Sequence, residues 1–400
     1  MKLLIVTPHF WPENFPINKW ASKIVNKGHQ VQVLTGKPNY PNGEIFSKYK
    51  KKKFALDQYN YKKIKIISLP IIPRKKGDSI NLVLNYISFV FSFIIYLPKL
   101  INLLKFDKIL YYGISPLTAA IPAIILKKIK KKKLVFWIQD LWPESISFTG
   151  HVKNLFLIKI INYFCIKIYN SADIILCQSA SFAKHLKNKK IRPKIKILYN
   201  SYDLNKNLYK VRINKKINKI LSNYFCITYG GNIGKAQYFE NILSIAKQIQ
   251  KYKIKFLIFG SGSNYYNIKK KIKSYKVNNI YLYPQIKEDL INKIYTKSSA
   301  LFLTLNKNSF LSKTIPSKLQ NYLAIGKPIL ISADGEVNKL IKKNKCGLVS
   351  PAEDHKILKK NIFKLFKSRN SNQKYKINAI NLYNKKFNLN KNINAMINYL

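Results

Sequence analysis

Acidic side chains are scarce in this sequence. Its 400 residues include 16 Asp and Glu against 73 Lys and Arg, which gives a formal net charge of +57. A charge of this size suggests a nucleic acid or an anionic membrane surface as partner. The lysines are spread through every segment, however, and they accompany many Asn, Ile and Tyr residues, a mixture that an AT-rich genome favours. Charge alone therefore leaves both partners and a simple bias of composition open.

Cysteine is also rare, and no metal-ligand spacing is present. The four cysteines stand far apart, without the close pair that begins a zinc site or the density of a disulfide framework; they are Cys165, Cys177, Cys226 and Cys346. The histidines are interpreted as structural or surface residues; they are His9, His29, His151, His185 and His355. We therefore predict no metal site and a reducing, cytoplasmic environment.

Long apolar runs are absent except for one. Residues 82–97 are mostly hydrophobic, have basic residues on both sides, and predict a helix at about 80–104. A spanning helix needs about 20 apolar residues, and a narrow polar stripe with Asn85, Ser88 and Ser92 recurs here at helical spacing. This pattern is consistent with a helix buried on a sheet and with a helix that lies in the bilayer interface. It is less consistent with a helix that spans the bilayer.

What the sequence does contain is a repeated alternation of buried strands and helices. A chain of 400 residues suits two hydrophobic cores. Residues 3–6 predict a strand, 17–27 a helix and 31–34 a second strand, which together form the unit of a parallel sheet. A second cycle starts at residues 225–229 and runs into a glycine-rich turn. We therefore predict an α/β fold of two Rossmann-like, doubly wound domains.

The domain boundaries follow from these two cycles. We predict an N-terminal domain over 1–203, which carries the membrane-facing helix, and a hinge over the Asn- and Lys-rich residues 204–220. The C-terminal domain is predicted over 221–372. Residues 373–400 are predicted to be a helical segment that packs back on the N-terminal domain.

Features that suit a phosphate group follow the predicted strands of the second domain. Open parallel sheets bind ligands at the carboxyl ends of their strands, and glycine there lets backbone N–H groups approach a diphosphate. Two such turns occur, at residues 230–234 and 260–262, although a merely tight turn is the alternative. A third segment, 314–318, opens a predicted helix with a hydroxyl and an ammonium that could converge on one phosphate. A plain capped helix start is the alternative there.

Carboxylates follow two predicted strands of the first domain. Asp140 and Glu144 flank a Trp-Pro pair after the strand at 134–138, and Glu13 with Asn14 ends a similar Trp-Pro loop after the first strand. Because acidic residues are so few, carboxylates at strand ends are candidates for chemistry. A capping role for Asp140 is the alternative.

Four motifs, taken in order, resemble glycosyltransferase family 4, and within it the bacterial O-antigen and capsule enzymes typified by N-acetyl-fucosamine transferases. The motifs are residues 34–41, 139–145, 231–237 and 316–328. The resemblance spans nearly the whole chain. It implies the GT-B fold, in which two domains face each other across a cleft, and a retaining reaction without a metal or other cofactor.

The resemblance also implies substrates and a location. The donor would be a UDP-sugar, with an N-acetylated deoxyhexose as the sugar. The acceptor would be a sugar linked to undecaprenyl diphosphate, in O-antigen or capsule synthesis. The protein would act peripherally, at the cytoplasmic face of the bacterial inner membrane, and not on nucleic acid.

Roles for individual residues follow from the strand-end turns and loops together with the matching motifs. The predicted donor-binding residues are Gly231, Asn232, Gly234, Lys235, Gln237, Gly260, Gly262, Thr314, Pro316, Ser317, Lys318 and Asn321. The predicted acceptor-binding residues are Glu13, Asn14, Asn39 and Tyr40. As catalytic residues, Lys318 would stabilise the leaving UDP, while Asp140, or secondly Glu144, would orient or deprotonate the acceptor hydroxyl. The chain departs from the wider family at Lys313 and Asn321, where two glutamates eight positions apart are common.

Rival functions can be weighed from the same sequence. The absence of an Asp-x-Asp motif argues against a metal-dependent transferase of the GT-A type. A nucleotide-sugar epimerase of GT-B-like fold would process a UDP-sugar without any acceptor, so it stays an alternative. A nucleic-acid-binding protein would be expected to cluster basic residues and aromatics on one element, whereas these lysines are spread evenly.

Overall fold

The chain divides into two units. The computed structural model describes residues 1–50, 55–75, 78–149, 154–204, 208–368 and 372–400. One unit contains Met1–Tyr199 together with Asn390–Leu400, and the other contains Asn200–Leu389. The chain therefore leaves the first unit after Tyr199 and returns to it for its last residues.

These divisions differ in detail from the predicted boundaries. The first division precedes the predicted hinge at 204–220. Residues 205–207 of this hinge lie outside the described residues, and so do His151 and residues 369–371. Of the segment 373–400, only residues 390–400 group with the first unit, and 373–389 group with the second.

The first unit is a mostly parallel sheet with helices. Its strands are β1 (Lys2–Val6), β2 (Gln30–Gly36), β3 (Asp57–Tyr61), β4 (Ile64–Leu69), β5 (Lys108–Gly113), β6 (Lys133–Ile138), β7 (Ile174–Cys177) and β8 (Lys194–Ile197). Its helices are α1 (Pro16–Asn26), α2 (Ser47–Lys50), α3 (Ser79–Leu103), α4 (Ile121–Lys130), α5 (Glu144–Thr149), α6 (Leu155–Asn170) and α7 (Ala180–Asn188), with a 3-10 turn at Leu117–Ala120. Within the described residues the strand order is β3-β4-β2-β1-β5-β6-β7-β8, and only β3 is antiparallel to its neighbour.

The second unit repeats this architecture. Its strands are β9 (Phe225–Gly230), β10 (Ile254–Phe259), β11 (Ile280–Tyr283), β12 (Ala300–Thr304), β13 (Ile329–Ser332) and β14 (Gly347–Ser350). Its helices are α8 (Lys215–Asn223), α9 (Glu240–Gln248), α10 (Tyr265–Ser274), α11 (Glu288–Lys297), α12 (Ser317–Ile325), α13 (Glu336–Asn344), α14 (His355–Lys367) and α15 (Gln373–Leu382); the last helix, α16 (Leu389–Tyr399), enters the first unit. The described strands are all parallel, in the order β11-β10-β9-β12-β13-β14.

The central strands are apolar on both faces. Four of the five residues of β1 and every residue of β9 are buried. Such continuous burial is typical of parallel strands covered by helices on both sides. Helix limits also follow from sequence: α1 begins at Pro16, whose missing N–H costs nothing at a helix start, and α12 ends at Gly326, which has a φ of 74°. The predicted α/β fold of two doubly wound, Rossmann-like domains is confirmed.

Candidate active site

Each sheet has one point where the strand order reverses. In the first unit it lies between β1 and β5, and in the second between β9 and β12. Open α/β sheets bind ligands outside the carboxyl ends of strands at such a point. Most of the predicted site residues lie in the segments that follow these strands. The topology therefore supports a site at the carboxyl ends of the strands.

The two glycine turns of the second unit form one structure. Ile233 N donates a hydrogen bond to Ser261 O at 2.8 Å. A Cβ on Gly260 would lie 2.0 Å from the carbonyl oxygen of Gly231. Gly262 has a φ of 146°, and a Cβ there would lie 2.5 Å from Ile233 O. Only glycine allows this close approach of two backbones, so the turns predicted separately make a single loop pair.

Tyr229 joins this loop pair to the start of α12. Its hydroxyl accepts a hydrogen bond from Lys318 Nζ and donates one to Asn232 O at 2.5 Å. The Lys318 ammonium also lies 3.8 Å from the centroid of the Tyr229 ring, a cation–π contact. A Cβ built on Gly231 would be 3.4 Å from Lys318 Nζ. The predicted residues Asn232 and Lys318 therefore share one site.

Lys318 is a partly buried cation, and its pKa reflects this burial. Burial lowers the pKa of Lys318 from 10.5 to about 7. Across the part of the chain that the structure describes, no carboxylate forms a salt bridge with this ammonium. Burial also raises the pKa of Tyr229 well above its usual value, so this hydroxyl stays neutral. Because a desolvated ammonium gains most from a nearby negative charge, the site suits an anion.

The N-terminus of α12 lies at the same place. Ser317 and Lys318 are its first two residues, and Pro316 before them supplies no side-chain cap. The first N–H groups of a helix lack internal partners and carry partial positive charge, so they are suited to bind phosphate. Thr314, predicted with this group, instead donates its hydroxyl proton to Leu311 O at 2.8 Å.

The remaining predicted donor residues have different surroundings. Gln237 Oε1 accepts a hydrogen bond from Gly234 N at 3.0 Å and so shapes the turn. Lys235 is exposed. Asn321 donates its side-chain amide to Asn292 Oδ1 at 2.7 Å, on α11. The structure therefore does not join Asn321 to the Lys318 group.

Asp140, at the end of β6, binds the loop that follows β5. Its Oδ2 accepts hydrogen bonds from Ser115 N at 3.1 Å and Ser115 Oγ at 3.0 Å. The same serine hydroxyl accepts one from Trp142 Nε1 at 3.0 Å. Burial raises the pKa of Asp140, although the two Ser115 bonds oppose the shift. A carboxyl group with a raised pKa at this edge of the sheet suits proton transfer or hydroxyl binding.

Glu144, the second candidate in this loop, is engaged elsewhere. Its Oε1 lies 2.8 Å from His185 Nε2 and 2.6 Å from Lys189 Nζ. Burial would raise the pKa of Glu144, but the hydrogen bonds from His185 and Lys189 and the lysine charge lower it to about 2. A carboxylate held so firmly in its ionised form is a poor proton acceptor. The predicted catalytic role of Glu144 therefore gives way to a structural one, which joins α5 to α7.

The loop after β1 is held by a buried carboxylate. Glu13 Oε1 accepts hydrogen bonds from the backbone N–H groups of Asn39 at 2.7 Å and Tyr40 at 2.6 Å, and Oε2 lies 2.9 Å from His9 Nδ1. Asn39 is itself fully buried. Glu13 and Asn39 thus join the loop after β1 to the loop after β2 rather than forming an acceptor-binding surface. Asn14 in the first loop and Tyr40 in the second are exposed, and their contact with an acceptor stays a prediction.

The helix α3 turns its polar stripe toward the protein. Asn85 Nδ2 donates to Ile72 O at 2.6 Å, and Ser92 Oγ donates to Pro70 O at 2.5 Å. The opposite face exposes the apolar side chains Ile80, Val83, Leu84, Ile87, Phe91, Ile94 and Ile95. By length and composition this helix could cross a membrane, and only 22% of its most apolar part is buried. The helix is therefore not buried on all sides, and both membrane alternatives stay predictions.

Two further features of the described chain add no chemistry to this site. Within the described residues, no group of three His, Cys, Asp or Glu side chains could hold a metal ion; the absence of a metal from the reaction stays a prediction. A cavity of about 680 Å³ in the second unit is lined by Phe225, Ser299 and Pro328, which precede or begin β9, β12 and β13. It therefore lies at the opposite ends of the strands from the glycine turns.

Two residues that organise these loops were not identified from the sequence. Tyr229 bridges Lys318 and Asn232, and Ser115 holds Asp140. For Tyr229 a signal was available, because a tyrosine two positions before Gly231 ends an otherwise apolar strand.

Comparison with protein families agrees with the two units. The family model described as Glycosyltransferase Family 4 matches residues 17–206, and the one described as Glycosyl transferases group 1 matches residues 210–382. With the two Rossmann-like sheets, these matches define a glycosyltransferase of the GT-B class. The chain is a hexosyltransferase made of a family 4 domain followed by a group 1 domain.

Individual proteins show the same likeness. WcaI of Escherichia coli strain K12, named as a colanic acid biosynthesis glycosyl transferase, is 24% identical over 362 residues, which is 84% of each chain. The sucrose-phosphate synthase of Thermosynechococcus elongatus matches with a TM-score of 0.72 and 13% identity, over 100% of this chain and 98% of that one. HepE of Anabaena, in complex with UDP-glucose, matches with a TM-score of 0.68 and 14% identity, over 100% of both. At such identities the structural likeness shows the fold alone, and the N-acetyl-fucosamine subtype stays a prediction.

Proposed function

We propose that this glycosyltransferase moves a sugar from a UDP-sugar to a sugar linked to undecaprenyl diphosphate, during synthesis of a bacterial surface polysaccharide. The observation that carries the donor half is the Lys318 ammonium, which has no carboxylate partner among the described residues and lies beside a glycine turn and the N-terminus of α12. Support also comes from HepE, whose structure holds UDP-glucose, and from the colanic acid role in the name of WcaI.

The donor diphosphate is the group that the second unit would hold. Lys318, the backbone N–H groups at the start of α12 and those of the Gly231 turn would surround its phosphate oxygens. As the bond between the sugar C1 and the phosphate oxygen breaks, negative charge grows on the leaving UDP. Fixed donors of this kind stabilise developing charge, and losing one typically costs about 100-fold or more in rate.

The acceptor hydroxyl is the group that the first unit would hold. Its oxygen forms the new bond to C1, and its proton passes either to Asp140 or to the departing phosphate. The raised pKa of Asp140 fits a proton acceptor, and its bonds to Ser115 keep the carboxyl in place. We further propose retention of the configuration at C1 and a reaction that needs no metal ion.

A lipid-linked acceptor explains the apolar face of α3. Exposed apolar patches of this extent on a protein surface mark interaction sites, and a lipid-linked acceptor can only be reached at a membrane. We therefore propose a peripheral position on the cytoplasmic face of the inner membrane, with the N-acetylated deoxyhexose as the preferred donor sugar.

The test is a transfer assay with defined substrates. Purified protein is incubated with a panel of UDP-sugars and with a monosaccharide linked to a polyprenyl diphosphate, and the lipid product is weighed by mass spectrometry. The lipid is expected to gain the mass of one N-acetylated deoxyhexose with the preferred donor, and this transfer should persist in EDTA. A new UDP-sugar isomer formed without acceptor would establish the epimerase instead, and no product with any donor would refute the transfer.

A further inference from the structure

The helix α6 is apolar and yet mostly exposed. Of its 16 residues only Cys165 and Tyr169 are buried. Leu155 and Phe156, at its start, are 76% and 72% exposed. The exposed apolar side chains are Leu155, Phe156, Leu157, Ile160, Tyr163 and Phe164. Nothing in the proposed transfer chemistry accounts for this face.

The helices α3 and α6 both contact one short element. The 3-10 turn Leu117–Ala120, which follows β5, contacts both of them. The ring centroid of Tyr86 on α3 also lies 6.4 Å from the ring centroid of Trp142. Trp142 belongs to the loop of Asp140, the proposed acceptor-binding residue. The two apolar helices therefore lie beside the loops that would receive the acceptor.

Charge decides between two possible occupants of these faces. Lys159 and Lys167 are exposed on α6, and Lys99 is exposed on α3. Neither helix contains an Asp or Glu. A second copy of the chain would bring these lysines together without any carboxylate on either helix to balance them. An anionic bilayer instead offers negative charge at its surface and apolar depth below it.

We propose that α6 and α3 together form a two-helix membrane surface that inserts into an anionic leaflet. The surface consists of the exposed apolar side chains of α3 named above and those of α6. This inference rests on the proposed function and deepens it: α3 alone was the predicted contact, and α6 adds a second one on a helix that contacts the same Leu117–Ala120 turn. Two contacts fix the orientation of the first unit, so that the Asp140 loop lies near the lipid headgroups.

Vesicle binding of the full-length protein tests the inference. The triple variant Leu155→Ser, Phe156→Ser and Phe164→Ser removes apolar side chains of α6. The matched control, Tyr266→Ser with Ile357→Ser, removes side chains that are 80% and 42% exposed in the second unit. Flotation with vesicles of phosphatidylglycerol and phosphatidylcholine should show at least tenfold weaker binding of the triple variant and unchanged binding of the control.

Charge is tested in the same assay. Lys159→Gln with Lys167→Gln should weaken binding to the anionic vesicles and leave the weak binding to pure phosphatidylcholine unchanged. Wild-type binding by the triple variant would overturn the inference. The inference would also be overturned if light scattering showed a dimer for the wild type and a monomer for the triple variant, while both proteins bound vesicles equally. Unchanged circular dichroism and thermal midpoint confirm that the variants fold.

Failure of this inference is distinguishable from failure of the transfer. The triple variant should keep wild-type transfer to a water-soluble, short-chain acceptor and lose transfer to a long-chain acceptor in vesicles. If the wild type transfers nothing to either acceptor, the proposed function fails, and vesicle flotation still decides the membrane surface. If the triple variant transfers normally to the vesicle acceptor, the membrane surface fails and the transfer stands.

Discussion

UDP should bind this protein more weakly as the pH rises above 7. The reason is Lys318, whose pKa burial lowers from 10.5 to about 7. Only the protonated ammonium attracts a diphosphate, so half of the free protein already lacks that charge near pH 7. A bound diphosphate favours the charged form and raises the pKa of Lys318 in the complex. Binding therefore takes up a proton at any pH between the two pKa values.

The size of the effect follows from this linkage. When binding takes up one proton, affinity falls about tenfold per pH unit, which is about 1.36 kcal/mol. Because half of Lys318 is already deprotonated at pH 7, the dissociation constant for UDP should rise by up to about 50-fold between pH 7 and pH 9, or about 2.3 kcal/mol. Ordinary surface lysines titrate near pH 10.4 and contribute little over this range. The last phosphate ionisation of UDP occurs near pH 6 and is therefore largely complete below the range from pH 7 to pH 9.

Isothermal titration calorimetry of UDP at pH 7, 8 and 9 measures the slope. Lys318→Gln lacks the charge at every pH, so it should bind UDP at least about 50-fold more weakly than the wild type at pH 7 and lose the pH dependence. The variant of the exposed lysine, Lys235→Gln, should keep the wild-type slope. Constant wild-type affinity from pH 7 to 9, or a wild-type slope in Lys318→Gln, would refute this account of the site.

Three further predictions concern other parts of the structure. Asp140→Asn should lower turnover at least about 100-fold with UDP affinity within twofold of wild type; an equal loss of UDP affinity would make Asp140 a donor-binding residue. Glu144→Gln should lower the free energy of unfolding by roughly 2 to 3 kcal/mol at pH 7. Because the pKa of Glu144 is lowered from 4.5 to about 2, the stability difference between wild type and variant should vanish as the pH falls from 4.5 to 2. A difference in thermal midpoint that stays constant over this pH range would contradict the prediction. Gly262→Ala should weaken UDP binding at least tenfold, because its Cβ would lie 2.5 Å from Asn232 Oδ1; Gly28→Ala, also at positive φ but with no atom within 4 Å, controls for backbone strain.

The parts of the fold that the sequence predicts are those with local, continuous apolar patterns. The strands β1 and β9 are buried along nearly their whole length, so a short apolar run is sufficient to predict them. The edge strand β3 (Asp57–Tyr61) has no buried residue and alternates polar and aromatic side chains. It pairs with β4 across a two-residue turn, in which Lys62 and Lys63 both have positive φ. Such turns are usually marked by Asn-Gly or Asp-Gly, and two lysines give no such signal.

The same distinction holds for the site. Lys318 and Asn232 could be predicted to lie together, because the carboxyl ends of parallel strands share one edge of the sheet. The ion pair of Glu144 with His185 could not, since the partners are 41 residues apart and meet only when α5 packs near α7. The exposure of α6 could not be predicted either, because an apolar segment with helical spacing is equally typical of a buried helix.

The chain's return to the first unit has a consequence for protein engineering. Tyr202 N donates to Phe387 O at 3.2 Å and Tyr383 Oη donates to Tyr202 O at 2.7 Å, so the entry and exit of the second unit lie side by side. A chimera that borrows another enzyme's sugar specificity should therefore exchange residues 200–389 as a cassette and keep the native tail. An exchange carried through to Leu400 would take from Lys133 its hydrogen bond to Tyr399 O, and the recipient scaffold would lose its own final helix.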